Sequence, residues 1–344
     1  MRLSLSFKKN HPLQTEMHSS SSIPNGAPVQ PTQNGTVKYS QRLLPQVVDS
    51  LAAEDPDHVL GMAAKSEDPS EGFTSITTSE LSHAVNFTAH WLDFQKCIAL
   101  GSSETISFIG SQDFRYWILE LASIKVGHPL LLPSPRNALP NTVSLLDATK
   151  CRVLFYSGPT EEQAVALSKL VENLNIIRLP SLEEMLNGNG KEYPYSKTWE
   201  EAKDDTVIVV HTSGSTGVPK PIFYTNKFIG RCIDNQELVP PVTGRTLASF
   251  SMLKHKRPFF TGTPFFHLSG IVFGFHTMFC QTTAVMGPPD SPPSGKLVRD
   301  IARIVKLNGL ITVPSLLEAT FSAEGEEILP FLSDLEHICW LGGL

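Results

Sequence analysis

Residues 211–221 read His-Thr-Ser-Gly-Ser-Thr-Gly-Val-Pro-Lys-Pro and follow the apolar run Thr206-Val207-Ile208-Val209-Val210. Glycines let a loop curl until successive backbone N–H groups face one anion. Thr212, Ser213, Ser215 and Thr216 can add hydroxyl donors, Gly214 and Gly217 permit the turn, and Lys220 adds a mobile positive charge. The chemistry such a string serves is a grip on phosphate oxygens. It is not the GxxxxGK[ST] loop, because Lys220 stands between Pro219 and Pro221. It is not a GxGxxG fingerprint either, given the spacing of Gly214 and Gly217. A mobile surface loop is the plain alternative for any Ser/Gly/Thr run.

A second set of residues follows. His267 stands in Thr263-Pro264-Phe265-Phe266-His267-Leu268-Ser269-Gly270, where an imidazole could orient a carboxylate or serve packing. His276 reads as packing or surface, and Lys254, His255 and Arg257 as a solvated basic patch. Phe259, Phe260, Phe273 and Phe275 suit a core better than an acyl pocket. Gly270 and Gly274 fit room for a ligand or close helix packing equally well, and Glu318 reads as helix surface before magnesium support.

These residues need a frame. Leu81, Ala84, Val85, Trp91 and Leu92 recur at helical spacing, with Ser79 as the expected cap. Thr105–Ile109 reads as a strand, 114–126 as a helix ended by Gly127, and Leu130–Leu132 as a strand stopped by Pro133. A helix at 139–149, a strand at 152–156, a helix at 161–172 and a strand at Ile176-Ile177 continue the alternation. Residues 184–204 read as a polar connecting loop, before the strand at 206–210. Helices at 268–279 and 296–307, and strands at 283–286, 310–313 and 337–341, complete the pattern. The alternation predicts an α/β fold with parallel sheets flanked by helices. Residues 1–37 are rich in Ser, Pro, Asn and Gln and are expected to stay disordered, with order from about residue 40.

Composition narrows the function classes. A net charge of -6 gives no electrostatic support for nucleic-acid binding. No apolar run reaches the ~20 residues of a membrane span, and the N-terminus is a poor secretory signal, so a cytoplasmic location is expected. The five cysteines form no CxxC pair or disulfide framework. The triplets at Asn34 and Asn86 are then expected to be chance matches to a glycosylation site.

Thr212 through Lys220 resembles the phosphate-loop signature of the adenylate-forming (AMP-binding) superfamily. His211 through Ile222, with its Pro-Ile after the lysine, is most similar to fungal non-ribosomal-peptide-synthetase-like reductases. Thr263–Gly270 resembles the family's aromatic-His element, Val313-Pro314-Ser315 its later strand-to-helix turn, and Trp340-Leu341-Gly342-Gly343 the start of its Gly-Gly segment. The resemblance spans about 60–344 and implies ATP-dependent activation of a carboxylic acid to an acyl-adenylate in secondary metabolism. It implies that Thr212, Ser213, Ser215, Thr216 and Lys220 hold the outer phosphates with Gly214 and Gly217. It further implies that His267 sits beside the acid and the reacting phosphate, and that Gly342 and Gly343 line the pocket floor. ATP and Mg2+ would be the cofactors.

In the family, an aromatic-Thr-Glu motif, a Thr-Gly-Asp motif and a small domain with a lysine follow the Gly-Gly segment. Residues 38–344 are therefore expected to be the N-terminal portion of an adenylation domain, truncated before its C-terminal motifs. The lid, the phosphopantetheine carrier and the reductase domains are expected to be absent. That predicts an incomplete enzyme whose last strand a polypeptide partner could complete. The alternatives are an inactive remnant that binds nucleotide, acid or another protein, and the product of a truncated gene model.

Overall fold

The structure is a computed structural model and describes residues 41–95, 103–212, 217–237, 257–322, 330–331, 333 and 335–340. The tail at 1–37, Cys97, Lys254 and His255 lie outside the described residues.

Alternating apolar and β-branched runs build two six-stranded sheets. One contains β1 (Val59–Ala64), β2 (Phe73–Thr77), β9 (Pro258–Thr261), β10 (Thr283–Met286), β11 (Gly309–Thr312) and β12 (His337–Trp340). Its order is β12-β11-β9-β10-β1-β2. The other contains β3 (Ile106–Ile109), β4 (Leu130–Leu131), β5 (Val153–Tyr156), β6 (Asn175–Arg178), β7 (Thr206–His211) and β8 (Pro221–Thr225). Its order is β6-β5-β3-β4-β7-β8.

Neighbouring strands run parallel except for β1 with β2 and β7 with β8. The expected parallel sheets flanked by helices are present, and each carries one antiparallel edge pair. The links explain it: short connections at 65–72 and 212–220 can join only antiparallel neighbours, whereas a parallel pair needs a longer crossover.

The helices are α1 (Leu44–Glu54), α2 (Thr78–Asp93), α3 (Arg115–Val126), α4 (Leu139–Ala148), α5 (Glu161–Ser168), α6 (Leu182–Asn187), α7 (Trp199–Ala202), α8 (Asn226–Glu237), α9 (Leu268–Cys280), α10 (Gly295–Ile304) and α11 (Pro314–Thr320). The cap of α2 is Thr77, not Ser79: its hydroxyl accepts from the Glu80 N–H, and Glu80 reaches back to the Thr77 N–H. The expected loop at 184–204 contains most of α6 and all of α7. Both begin with the same reciprocal box, Ser181 with Glu184 and Thr198 with Glu201. The helix expected at 161–172 closes early, at Ser168. The helix at 114–126 ends as expected, on Gly127 at φ +86.

Buried polar groups join the helices. The Lys125 ammonium has a fully buried side chain and donates to both Asp49 oxygens, at 2.8 and 3.0 Å, and to Asn86 Oδ1 at 2.8 Å. Asn86 also accepts from the Tyr193 N–H at 3.2 Å. One cation thus ties α1, α2 and α3 to the segment entering α7. Asn86 is buried and used, which accords with its glycosylation triplet being a chance match. Phe259, Phe260, Phe273 and Phe275 are all core residues.

Candidate active site

The carboxyl ends of the parallel strands from both sheets meet in one region, which is where open α/β sheets place ligands. Gln112, just past β3, makes the junction. Its backbone N–H donates to the Pro289 carbonyl at 3.1 Å. Its side-chain Oε1 accepts from the Phe265 N–H at 2.9 Å, and its Nε2 donates to the Thr263 carbonyl at 3.4 Å. The turn that leads to His267 is therefore clamped by a residue of the other sheet. Aromatic packing reinforces the clamp: Phe265 stacks at 5.5 Å against Trp117, which meets Phe114 edge-on at 5.2 Å.

His267 itself is exposed and caps α9. Its Nδ1 accepts from the Ser269 N–H at 3.4 Å and lies 3.1 Å from the Ser269 hydroxyl. That arrangement turns Nδ1 towards the helix and leaves Nε2 without a hydrogen-bond partner among the described residues. Beside it, Gln112, Arg136, Pro264, Phe266, Ser294 and Ser315 line part of a cavity of about 480 Å³. Gly270 and Gly274 do not open this space. A Cβ on Gly270 would lie 2.3 Å from the Pro264 carbonyl oxygen, and one on Gly274 would lie 2.4 Å from Trp117 Nε1. Close packing accounts for both.

The glycine-rich segment joins β7 to β8. His211 pairs with Pro221, and the Thr212 N–H donates to the Lys220 carbonyl at 3.2 Å. Thr212 and Lys220 are exposed, and Lys220 has no ion pair among the described residues. Gly217 sits at φ +81, where a side chain would strain the backbone. Ser213, Gly214, Ser215, Thr216, Gly342 and Gly343 lie outside the described residues. Burial holds the His211 imidazole below its usual pKa, nearby His267 adds to that, and the Thr212 carbonyl opposes it. The turn that meets His211 through Ser134 and Asn137 also brings Arg136 to the cavity lined by Pro264 and Phe266, so the loop stem and the His267 turn share one neighbourhood.

Among the remaining candidates, His276 is buried and lies 3.3 Å from Cys280 Sγ, Glu318 is exposed, and Arg257 pairs with Glu336 at 3.3 Å. Among the described residues no group of three or more His, Cys, Asp or Glu could hold a metal. Gln112, Ser134 and Asn137 were not legible as site residues. Each is a common loop residue whose partner is more than 70 positions away.

Comparison with known proteins agrees with this frame. A family profile described as AMP-binding enzyme matches residues 51–343. The chain is 31% identical over 321 residues to an isocyanide synthase-NRPS hybrid, crmA, of Aspergillus fumigatus, covering 91% of this chain and 20% of that protein. It is 29% identical over 315 residues to a carboxylic acid reductase of Neurospora crassa, covering 91% of this chain and 30% of that one. The chain thus spans less than a third of the length of these two relatives. Among solved structures, the inhibitor-bound N-terminal domain of FACL13 from Mycobacterium tuberculosis superposes with a TM-score of 0.68 at 16% identity, over 86% of this chain and 69% of that one. No helix among the described residues is long and apolar enough to cross a membrane. The chain belongs to the AMP-binding enzyme family, whose members form adenylates.

Proposed function

We propose that this chain carries the triphosphate-gripping and acid-facing side of a site that activates a carboxylic acid with ATP. In that reaction a carboxylate oxygen attacks the α-phosphorus, the bond to the β-phosphate oxygen breaks, and pyrophosphate leaves as the acyl-adenylate forms. Two anions must be held close together, so donors and positive charge belong where charge develops. The supporting observation is the convergence of the Thr212–Lys220 stem and the His267 turn on the segment 134–137, which bonds His211 and lines the cavity beside Pro264 and Phe266. Lys220 neutralises the outer phosphates, and His267 Nε2 orients the carboxylate. Magnesium would arrive with the triphosphate, held by its phosphate oxygens.

A polypeptide partner that adds to the edge of β12 is proposed as well. The support is β12, which pairs only with β11 among the described residues and leaves Ile338 and Trp340 exposed. The decisive experiment is calorimetric titration of the purified chain with MgATP, followed by acid-dependent ATP–pyrophosphate exchange over a panel of acids. The chain alone is expected to bind MgATP, with Lys220→Ala roughly tenfold weaker, and to show little exchange. Absence of MgATP binding, or unchanged binding in Lys220→Ala, would overturn the reading of the loop.

A further inference from the structure

His211 is the last residue of β7 and faces Pro221 across the β7–β8 ladder. The last backbone tie of this ladder is the Thr212 N–H donating to the Lys220 carbonyl at 3.2 Å. The imidazole supplies others. Its Nε2 accepts from the Ser134 backbone N–H at 3.0 Å, with Asn137 Nδ2 3.4 Å away. Its Nδ1 lies 3.2 Å from the Thr212 carbonyl oxygen, to which a ring nitrogen can only donate. Both bonds are satisfied by one species, the neutral imidazole protonated on Nδ1. Ser134 belongs to the turn after β4, and β4 is the strand that pairs with β7. The ring therefore bridges the carboxyl ends of two neighbouring strands and holds the first peptide of the loop.

The geometry points to His211 as a positioning residue for the phosphate loop: the neutral Nδ1–H ring locks Thr212 to the turn after β4 and so fixes where the loop opens. His211 does not itself touch the phosphates. A proton on Nε2 would set two N–H groups against each other at Ser134 and break the tie. Among the described residues, the titratable groups on the surrounding elements are His267 on the turn before α9, Arg136 after β4, Lys220 at the loop's return and Tyr224 in β8. None is a carboxylate that would favour a protonated ring, and burial also disfavours it.

This assignment rests on the reading of the loop as a triphosphate grip, and the test keeps the two apart. Wild type, His211→Gln and His211→Phe are titrated with MgATP, and separately with inorganic pyrophosphate, at pH 8.0 and pH 5.5. Gln can place an amide oxygen near the position of Nε2, whereas Phe removes both ties. At pH 8.0, His211→Gln should bind within about threefold of wild type and His211→Phe about tenfold more weakly. Wild-type affinity should fall towards pH 5.5 more steeply than that of His211→Gln. In ligand-free wild type, the imidazole resonance lost in His211→Gln should report the Nδ1–H tautomer at pH 8.0. The Ser134 amide should exchange faster in His211→Phe.

If wild type binds and His211→Phe binds equally well, the positioning role is wrong while the loop reading stands. An Nε2–H tautomer has the same consequence. If wild type binds neither ligand, the loop reading fails, and the positioning role, which presupposes it, falls too. Should His211→Phe not fold, the pH profiles of wild type and His211→Gln and the tautomer still decide.

Discussion

Replacing Glu120 should make the stability of this protein less sensitive to pH, with a magnitude that follows from its burial. Glu120 lies on α3, has no exposure, and neither carboxyl oxygen has a hydrogen-bond partner among the described residues. Burial alone pushes its pKa well above the usual 4.5. In the native state the group keeps its proton to higher pH than in the unfolded chain. The unfolded state therefore binds fewer protons, and stability falls as pH rises from about 4.5 towards the raised native value. Within that window the loss is about 1.4 kcal/mol per pH unit for one fully shifted carboxyl.

Urea denaturation of wild type and Glu120→Gln at pH 5.5, 6.0 and 6.5 measures the difference directly, because every other titration cancels. The variant should gain on wild type over that unit, by at most about 1.4 kcal/mol. Glu120→Met, which also removes the unpartnered polar burial, should be more stable than wild type by roughly 1–3 kcal/mol at pH 6.5. Parallel lines for wild type and Glu120→Gln would mean that Glu120 is ionised and compensated in the native state, and the burial argument would be refuted.

Lys125→Met should destabilise the chain by roughly 2–3 kcal/mol, because it strips Asp49 and Asn86 of their shared cation while Asp49, at 37% side-chain exposure, can partly rehydrate; chemical denaturation reads it, and a loss below 0.5 kcal/mol would contradict a structural role for the network. Gly274→Ala should cost about 1–3 kcal/mol by forcing α9 off Trp117, although alanine is the better helix former. A variant at least as stable as wild type would show that the two helices can part without cost.

Local patterns carried much of the frame. Gly127 marks the end of α3 because only its αL conformation closes that helix cheaply. Proline after β4 and β11 stops each strand where the backbone needs an N–H that proline lacks. The short helices α6 and α7 were written in their Ser181–Glu184 and Thr198–Glu201 spacings, yet the polar composition of 184–204 masked them. The antiparallel edges were not visible in periodicity, since strand direction depends on the length of a connection and on which neighbour the chain returns to.

At the candidate site, residue types named the chemistry before any geometry was known. Gly217 at positive φ, the Thr212–Lys220 stem and the cap at His267 are local features that a short stretch of chain encodes by itself. The family and the local form of the His267 turn were therefore legible from order and identity along the chain. Tertiary structure alone decided which distant groups hold them. Gln112 clamps the turn before His267 across 153 positions, and the Ser134 N–H meets His211 across 77. It also decided that Gly274 makes room for Trp117 rather than for a ligand. Such ties join residues that no period or motif connects, because they exist only once two sheets have brought their carboxyl ends together.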